Sequence, residues 1–321
     1  MKLGVLTVPL YDRPVGDAFA YLAALGVQTV EIGTGGYPGT THLDPAKALS
    51  NPAIINDFKA LLNKHKLSVS AFSCHGNPVH PSKEIAAKAH DDFVNTCRLA
   101  EEFGVDTVVT FGGCPGDHPG AKHPNWVTCT WPHDFQDILK YQWDDVLIPY
   151  WKRAADLATR HGVNKIALEM HPGFSVYNPY TLLKLRQAIG PAIGANFDPS
   201  HLFWQGIRPA EAIKALKGAV YHFHAKDTRI DHFNAAVNGN LETSPYDDIL
   251  NRAWLFRTVG YGHGEYEWKE MITNLRAIGY DGAISIEHED ALMSVEEGLE
   301  KAIAFLKPIL INDPPATMWW A

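Results

Sequence analysis

Short apolar runs alternate with longer segments of helical periodicity along most of this 321-residue chain. A turn signal containing Gly or Pro follows the apolar runs, as is typical where buried parallel strands end. Eight strand–helix units in alternation predict an α/β fold closed into one (β/α)8 barrel, with residues 1–321 as a single domain and 312–321 as a short tail. The predicted strands are Leu3–Val8, Thr29–Ile32, Leu67–Phe72, Thr107–Phe111, Ile166–Leu168, Ile193–Phe197, Ala219–Phe223 and Ala283–Ile286.

Two connections are longer than a barrel needs, one after strand four and one after strand seven. They run from Cys114 to Gln142, before a helix predicted at Trp143–His161, and from Ile230 to Glu265. Such loops in a compact domain are more often lids or insertions than filler. A doubly wound dinucleotide-binding sheet is the alternative fold, but no G-x-G-x-x-G follows the first strand.

Composition limits the partners and the cellular location that we expect for the protein. The net charge of −8 disfavours nucleic acid and anionic membranes, which require a basic surface. No signal-peptide pattern or long apolar span is present in the sequence, which predicts a cytoplasmic protein. Its cysteines show no C-x-x-C spacing and are expected to be reduced thiols. They are Cys74, Cys97, Cys114 and Cys129.

A carboxylate at the end of the fifth strand is the first indication of chemistry. Glu169 directly follows the apolar run, and His171 lies two positions further on, on the same side of an extended strand. Burying an unpaired charge is costly, and Lys165 lies at the opposite end of the strand. We therefore expect a metal ion as the partner of Glu169.

The next three strands also end in residues that bind metals. Asp198, His224 and Glu287 follow strands six, seven and eight, and all four ends meet at one mouth of a barrel. Three carboxylates and one imidazole suit Mn²⁺, the expected ion, or Mg²⁺ and Co²⁺, and Zn²⁺ also accepts them.

Each residue also has an ordinary structural role open to it. Asp198 can cap the following helix, Glu287 can pair with His288, and His224 can be a histidine satisfied by its neighbours. The presence of one ligand-type residue on each of four consecutive strands favours the metal site. Four further histidines are ambiguous one by one, namely His75, His201, His222 and His263.

Several motifs resemble the xylose-isomerase-like barrel superfamily, often labelled sugar phosphate isomerase/epimerase, over nearly the whole chain. They are A-L-E-M, N-F-D-P-S-H, H-F-H-A-K-D, G-Y-G-H-G and G-Y-D-G-A-I-S-I-E-H-E-D. The resemblance implies that Glu169, Asp198, His224 and Glu287 bind a divalent metal. It also implies that His201, in the family's D-x-x-H pair, contacts substrate, and it matches His224, Lys226 and Asp227 to an H-x-K-D segment.

A narrower set of motifs is similar to the catalytic α-subunits of bacterial C-glycoside deglycosidases. They are E-M-H-P-G, F-R-T-V-G-Y-G-H-G and S-I-E-H-E-D. That similarity implies a 3-oxo-glycoside substrate made by a separate oxidoreductase, His171 as base beside the metal, and a small β-subunit as a partner. In the epimerases of the superfamily, the residues matching Glu169 and Glu287 act instead as acid and base on opposite faces of the sugar.

All these reactions begin by removing a proton next to the carbonyl of a keto-sugar. The first expectation is a lyase-type deglycosidase, with His171, Glu169 and Glu287 as catalytic residues, and the alternative is a sugar isomerase or ketose 3-epimerase. A metal-dependent abasic-site endonuclease and a non-catalytic sugar-binding protein are further alternatives that charge and ligand set disfavour. Expected substrate contacts are His75, His201, Arg229, Arg257 and His263, with surface ion pairs as the other reading of the two arginines.

Tryptophans suggest two further contacts. Trp126, Trp131, Trp143 and Trp204 can stack on a sugar or flavonoid ring, or pack the rim of the barrel. Trp319 and Trp320 near the C-terminus suggest docking to a partner subunit or to a second copy of the chain.

Overall fold

Parallel pairing closes eight of the strands into a barrel. The computed structural model describes residues 1–318 and residue 320. Its first strand pairs in parallel with both the second strand and the last, which confirms the predicted fold. The strands are β1 Lys2–Leu6, β2 Thr29–Gly33, β3 Ser68–Ser73, β4 Thr107–Phe111, β5 Lys165–Glu169, β6 Ile193–Phe197, β7 Val220–Ala225, β8 Asp227–Ile230, β9 Trp254–Arg257 and β10 Ala283–Ile286. Around the closed barrel the order is β1-β10-β7-β6-β5-β4-β3-β2, while β8 and β9 pair outside it.

Helices surround the barrel, and all except α5 and α10 have buried residues. In the longest, Phe93, Cys97 and Ala100 recur at helical spacing on the buried face, and Gly104 ends the helix in the left-handed conformation. The helices are α1 Val15–Ala24, α2 Pro45–Ser50, α3 Pro52–His65, α4 Lys83–Phe103, α5 Asp134–Lys140, α6 Ile148–Arg160, α7 Pro179–Ile189, α8 Pro199–Trp204, α9 Pro209–Ala215, α10 His232–Asn238, α11 Glu265–Ala277 and α12 Val295–Leu306. In the part of the chain that the structure describes, none has the length and apolar character needed to cross a membrane.

The barrel interior is divided into an apolar and a polar part. Small residues Ala71, Val109 and Ala167 form their own cluster with Tyr221. Glu31 and His222 are also fully buried, although both are polar. Small apolar side chains on some inward positions leave space for polar side chains on others, and this space holds the site.

The connection after β4 contains more helix than expected. Helix begins at Asp134 rather than at Trp143, and it passes through a π-helical segment, Tyr141–Leu147, before α6. The wider turn coincides with a buried Gln142, whose Nε2 donates to the carbonyls of Pro115, Gly116 and Asn125. Gln142 thereby ties the preceding loop to this helical segment.

The connection after β7 contains an antiparallel hairpin and α10. Asp227 pairs with Arg257 and Ile230 with Trp254, although the two strands are far apart in sequence. No two-residue turn joins them, so the usual sequence signal of a hairpin is missing. At the other strand ends, β1 stops at Leu6 because Val8–Leu10 turns into a 3₁₀-helix containing Pro9.

The cysteines and the C-terminal tail complete the description. All four cysteines are free thiols, and only Cys129 among them is exposed. Residues 312–318 are exposed and contain no helix or strand. Trp320 is 66% exposed, and Trp319 lies outside the described residues, so their docking role stays a prediction.

One carboxylate fixes the glycine-rich loop that follows β9. Asp227 Oδ2 accepts hydrogen bonds from the backbone N–H groups of Gly260, Gly262 and His263 at 3.0–3.1 Å. A Cβ at Gly262 would lie 2.3 Å from the carbonyl oxygen of Thr228, so the close approach requires glycine. The loop is therefore anchored to the residue that directly follows Lys226.

Replacing Asp227 with Asn should destabilise the protein by roughly 2–3 kcal/mol, because an amide nitrogen would face buried N–H donors. Thermal and urea unfolding measure this change. Asp44→Asn is the matched control: Asp44 caps α2 by accepting from Ala46 and Lys47, and Asn caps nearly as well. Equal unfolding free energies for the two variants would contradict the anchoring role.

Candidate metal centre and active site

Four side chains converge at the carboxyl ends of four neighbouring strands. Glu169 ends β5, Asp198 follows β6, His224 lies on β7 and Glu287 follows β10. One ligand-type atom from each lies within 4.8 Å of those of the others. Because β5, β6, β7 and β10 are adjacent in the barrel, the strand order alone brings these residues together. The structure thus assembles the set that the sequence predicted.

The ring of His224 has one nitrogen directed to each side. Its Nε2 lies 2.9 Å from both oxygens of Glu31, and because a carboxylate only accepts, Nε2 carries a proton. Its Nδ1 lies 3.1 Å from Glu169 Oε2 and from Glu287 Oε2. The angles allow no hydrogen bond there, so Nδ1 is a buried polar atom without a partner in the described chain.

Asp198 divides its two oxygens between structure and site. Oδ1 accepts from the backbone N–H of Ser200 at 2.8 Å and caps α8, as the ordinary structural role predicts. Oδ2 lies 3.2 Å from Lys226 Nζ and 3.3 Å from His201 Nε2, yet it makes no hydrogen bond within the described chain. Burial raises the pKa of Asp198, so a cation beside its second oxygen would favour the ionised form.

The arrangement therefore fits a divalent cation. Two buried ligand-type atoms, His224 Nδ1 and Asp198 Oδ2, have close neighbours but no hydrogen bonds. Burial opposes protonation of His224, but Glu31 and Glu287 outweigh it and raise its pKa well above the usual value. The site thus attracts positive charge at Nδ1, and oxygen-rich donors of this kind suit a hard ion.

Lys226 is a member of the site to which sequence reasoning gave no role. Its Nζ lies 2.7 Å from Glu287 Oε2 and 3.0 Å from Glu289 Oε2. Burial lowers the pKa of Lys226, but Asp198 and Glu287 outweigh burial and raise it well above the usual value. Lys226 stays charged and offsets part of the negative charge of the floor. The available signal was the two-residue spacing from His224, which places both side chains on the same side if the extended chain continues past the end of β7.

Two histidines hold Glu169 from opposite sides. His75 Nε2 lies 3.1 Å from Glu169 Oε2, and His201 Nε2 lies 3.1 Å from Oε1. Burial raises the pKa of Glu169, but the neighbouring imidazoles of His201, His224 and His75 outweigh it and hold the pKa well below the usual value. Asn196 Nδ2 donates a further bond at 2.9 Å. His75 and His201, which were predicted to contact substrate, thus lie at the candidate metal centre.

His171 lines the cavity above the centre. Its Nδ1 lies 2.5 Å from the carbonyl oxygen of Pro172, which only accepts, so in the neutral ring the lone pair lies on Nε2. Burial lowers the pKa of His171 to about 3, which keeps the ring neutral near pH 7. The histidine is therefore in the protonation state that a base requires.

Three predicted substrate contacts lie elsewhere. His263 Nδ1 bonds Asp227 Oδ1 at 2.8 Å, and its ring stacks on Phe203 with 3.5 Å between centroids. Arg257 Nε donates to Asp290, which holds the hairpin to the segment after β10. Arg229 is exposed on β8. None of His263, Arg257 and Arg229 is among the described residues that line the cavity, so their contact with substrate stays a prediction.

A cavity of about 420 Å³ is lined by two of the four ligand-type residues, Glu169 and Glu287. Its floor includes Glu169, His171, Lys226 and Glu287, and its aromatic walls are Tyr37, Phe111, Phe174 and Tyr246. The tryptophans expected to stack on substrate are not among the described lining residues: Trp143 is buried and Trp204 stacks on Trp254 with 4.7 Å between centroids. Phe111 ends β4, the other three wall residues come from separate loops, and no spacing in the sequence indicated them.

These features define a (β/α)8 barrel protein with a candidate divalent-metal centre at the carboxyl ends of its strands. The chain belongs to the xylose isomerase-like TIM barrel family, whose sequence pattern residues 19–309 match. An uncharacterized protein of Bacillus subtilis, YfiH, is 42% identical over 310 residues, which cover 96% of this chain and 98% of that protein.

Solved structures share the barrel. A D-tagatose 3-epimerase-like protein has a TM-score of 0.62 at 19% identity, covering 96% of this chain and 98% of its own. The IolI protein, solved with a zinc atom, has a TM-score of 0.65 at 17% identity, covering 96% of both chains. At these identities the likeness shows the fold alone.

Adding Mn²⁺ should raise the melting temperature of the protein, because an ion that binds only the folded state stabilises it by about 2.7 kcal/mol at a hundred times Kd. Glu287→Gln should remove most of this shift. Asp106→Asn, at the opposite end of the barrel, is the control and should keep it, since Asp106 pairs with Lys165 and is remote from the centre. Identical shifts in both variants would place the ion elsewhere.

Proposed function

We propose that the protein is a divalent-metal-dependent enzyme that removes a proton next to the ketone of an unphosphorylated keto-sugar and returns it, as an isomerase or epimerase. The observation that carries this proposal is the set of Glu169, Asp198, His224 and Glu287, of which Glu169 and Glu287 line a cavity of substrate size. A bound divalent ion polarises the ketone and its neighbouring hydroxyl and stabilises the charge that develops. Mn²⁺ fits the oxygen-rich donors, and the zinc in IolI supports a divalent ion in this fold.

Two carboxylates on the floor are suited to proton transfer. Glu169 and Glu287 both line the cavity, and both have a pKa held below the usual value. For Glu287, burial raises the pKa, but Lys226 and His224 outweigh it. Ionised carboxylates can accept the proton released from carbon, and a second group beside the substrate can supply one to the other face. The epimerase-like neighbour supports this outcome.

The charge of the cavity favours an uncharged substrate. Glu169, Glu287 and Glu289 line it, and Lys226 is the one lysine or arginine among the described lining residues. Lys226 is already engaged by Glu287 and Glu289. A phosphate would therefore meet carboxylates without an arginine or free lysine to receive it. We propose a neutral sugar or glycoside.

Phosphorylated ketohexoses should be turned over with a kcat/KM at least about tenfold below that of the free sugars, equivalent to roughly 1.4 kcal/mol of like-charge repulsion. Glu289→Gln removes one carboxylate at the mouth and should narrow the difference. Surface variant Glu297→Gln is the matched control. A preference for phosphorylated substrates in the wild-type protein would contradict a neutral substrate.

A lyase-type deglycosidase is the second candidate, and His171 is the observation that favours it. In this reaction a proton leaves the carbon next to a 3-oxo group, and the electron pair of that C–H bond expels the aglycone from the anomeric carbon. The aglycone leaves with its bonding pair and takes up a proton. His171 is neutral and faces the cavity, so it can accept the first proton, and the aromatic walls can contact an aglycone ring. A small β-subunit is a proposed partner in this case.

Incubation with Mn²⁺ in D₂O distinguishes the two outcomes. With free ketohexoses we expect deuterium at the carbon next to the ketone in the product, detected by NMR and mass spectrometry. With 3-oxo-glucosides, release of an aglycone would instead establish elimination. His171→Ala should lower the lyase rate by about 10²–10⁴-fold, the usual contribution of a general base, at unchanged metal content. An unchanged lyase rate in that variant would remove His171 from the role of base.

If metal-loaded protein neither exchanges deuterium nor releases aglycone from a panel of neutral keto-sugars and 3-oxo-glycosides, the proposed chemistry is wrong. The same panel assayed after metal removal is the control for metal dependence.

A further inference from the structure

We infer that Glu31 is a positioning residue that aims His224 at the metal. Glu31 lies on β2 and His224 on β7, two strands that are not neighbours, so their contact crosses the interior of the barrel. Both side chains are fully buried. The inference rests on the proposed metal-dependent function and concerns a residue that is not one of the four ligand-type residues.

The contacts of Glu31 allow one assignment of the protons around it. His224 Nε2 lies 2.9 Å from both carboxylate oxygens, and Ser285 Oγ donates to Oε2 at 2.7 Å. The Ser73 hydroxyl donates to Oε1. A carboxylate that receives two hydroxyls and one ring N–H holds the proton of His224 on Nε2, which leaves Nδ1 free to bind a cation.

Burial of a charged carboxylate at this position needs a reason. Glu31 is an ionisable group in the barrel interior, and no lysine or arginine of the described chain forms an ion pair with it. If Glu31 only accepted hydrogen bonds from Ser73 and Ser285, an uncharged acceptor in its place would cost less free energy to bury. The negative charge strengthens the His224 ring as a ligand, because a carboxylate behind a metal-binding histidine fixes its orientation and raises its basicity.

A separate series of buried hydrogen bonds supports Glu169, another of the four ligand-type residues. Asn196 Nδ2 donates to Glu169 Oε2 at 2.9 Å, and its Oδ1 lies 3.0 Å from His222 Nδ1. His222 Nε2 lies 3.3 Å from Ser70 Oγ but 3.8 Å from Glu31 Oε2. Glu31 therefore acts on His224 directly and not through this second series of hydrogen bonds.

The test compares Mn²⁺ affinity in the whole protein, measured by competition with a fluorescent chelator, for the wild type, Glu31→Gln and Ser285→Ala. Glu31→Gln removes the charge with little change of shape, and we expect Kd to rise about 10–100-fold, as is typical when such a partner is lost. Ser285→Ala removes a hydroxyl donor to Glu31 but keeps the contact with His224, and its Kd should stay within about threefold. Circular dichroism and melting without added metal show that each variant is folded.

A second readout concerns the proton itself. Nitrogen NMR of ¹⁵N-histidine-labelled wild-type protein loaded with Zn²⁺ should show His224 protonated at Nε2 and bound through Nδ1. A proton on Nδ1 would overturn the inference. If Glu31→Gln does not fold, Glu31→Asp, which keeps the charge but shortens its reach, should still weaken Mn²⁺ binding relative to Ser285→Ala.

The possible failures are distinguishable. A wild-type protein that binds neither Mn²⁺ nor Zn²⁺ would contradict the proposed function and this inference together. Binding by the wild type with an unchanged Kd in folded Glu31→Gln would overturn only the positioning role, and the metal centre would stand.

Discussion

Buried negative charge at one end of the barrel is the constraint on which the rest of the structure depends. Glu31, Glu169 and Asp198 are almost completely removed from water, and Glu287 lies beside them. Charges in such a place persist only when cations and hydrogen bonds replace the lost water. Lys226 and the surrounding histidines supply part of this replacement. His224 Nδ1 and Asp198 Oδ2 are left without hydrogen bonds, and the proposed divalent ion would interact with both atoms.

The sequence was most informative where position along a strand determines position in space. Parallel strands end at one mouth, so Glu169, Asp198, His224 and Glu287 could be grouped from the strand pattern alone. Glu31 could not be placed in this way, because it lies in the middle of a strand on the far side of the barrel. Its contact with His224 depends on how wide the barrel is and on which residues face inward, and neither follows from one strand.

The position of a residue near the end of a strand did not determine where its side chain points. Arg257 is the last residue of β9, as Glu169 is of β5, yet its side chain bonds Asp290, and His263 in the loop after β9 bonds Asp227. The long connections were less predictable still. The helix from Asp134 and the hairpin of β8 with β9 depend on contacts between distant segments, which local propensity does not encode.

The hairpin separates the backbone that supports the candidate metal centre from the segment that lines one wall of the cavity. Lys226 and Asp227 are consecutive, and Asp227 fixes the loop at 260–263, so the backbone beside the centre is held from the barrel side. Tyr246, by contrast, reaches the cavity from residues 231–253, which leave and rejoin the fold through the hairpin. A change in this segment would therefore alter one wall of the cavity, while Lys226 and the four ligand-type residues are held by the barrel strands beneath.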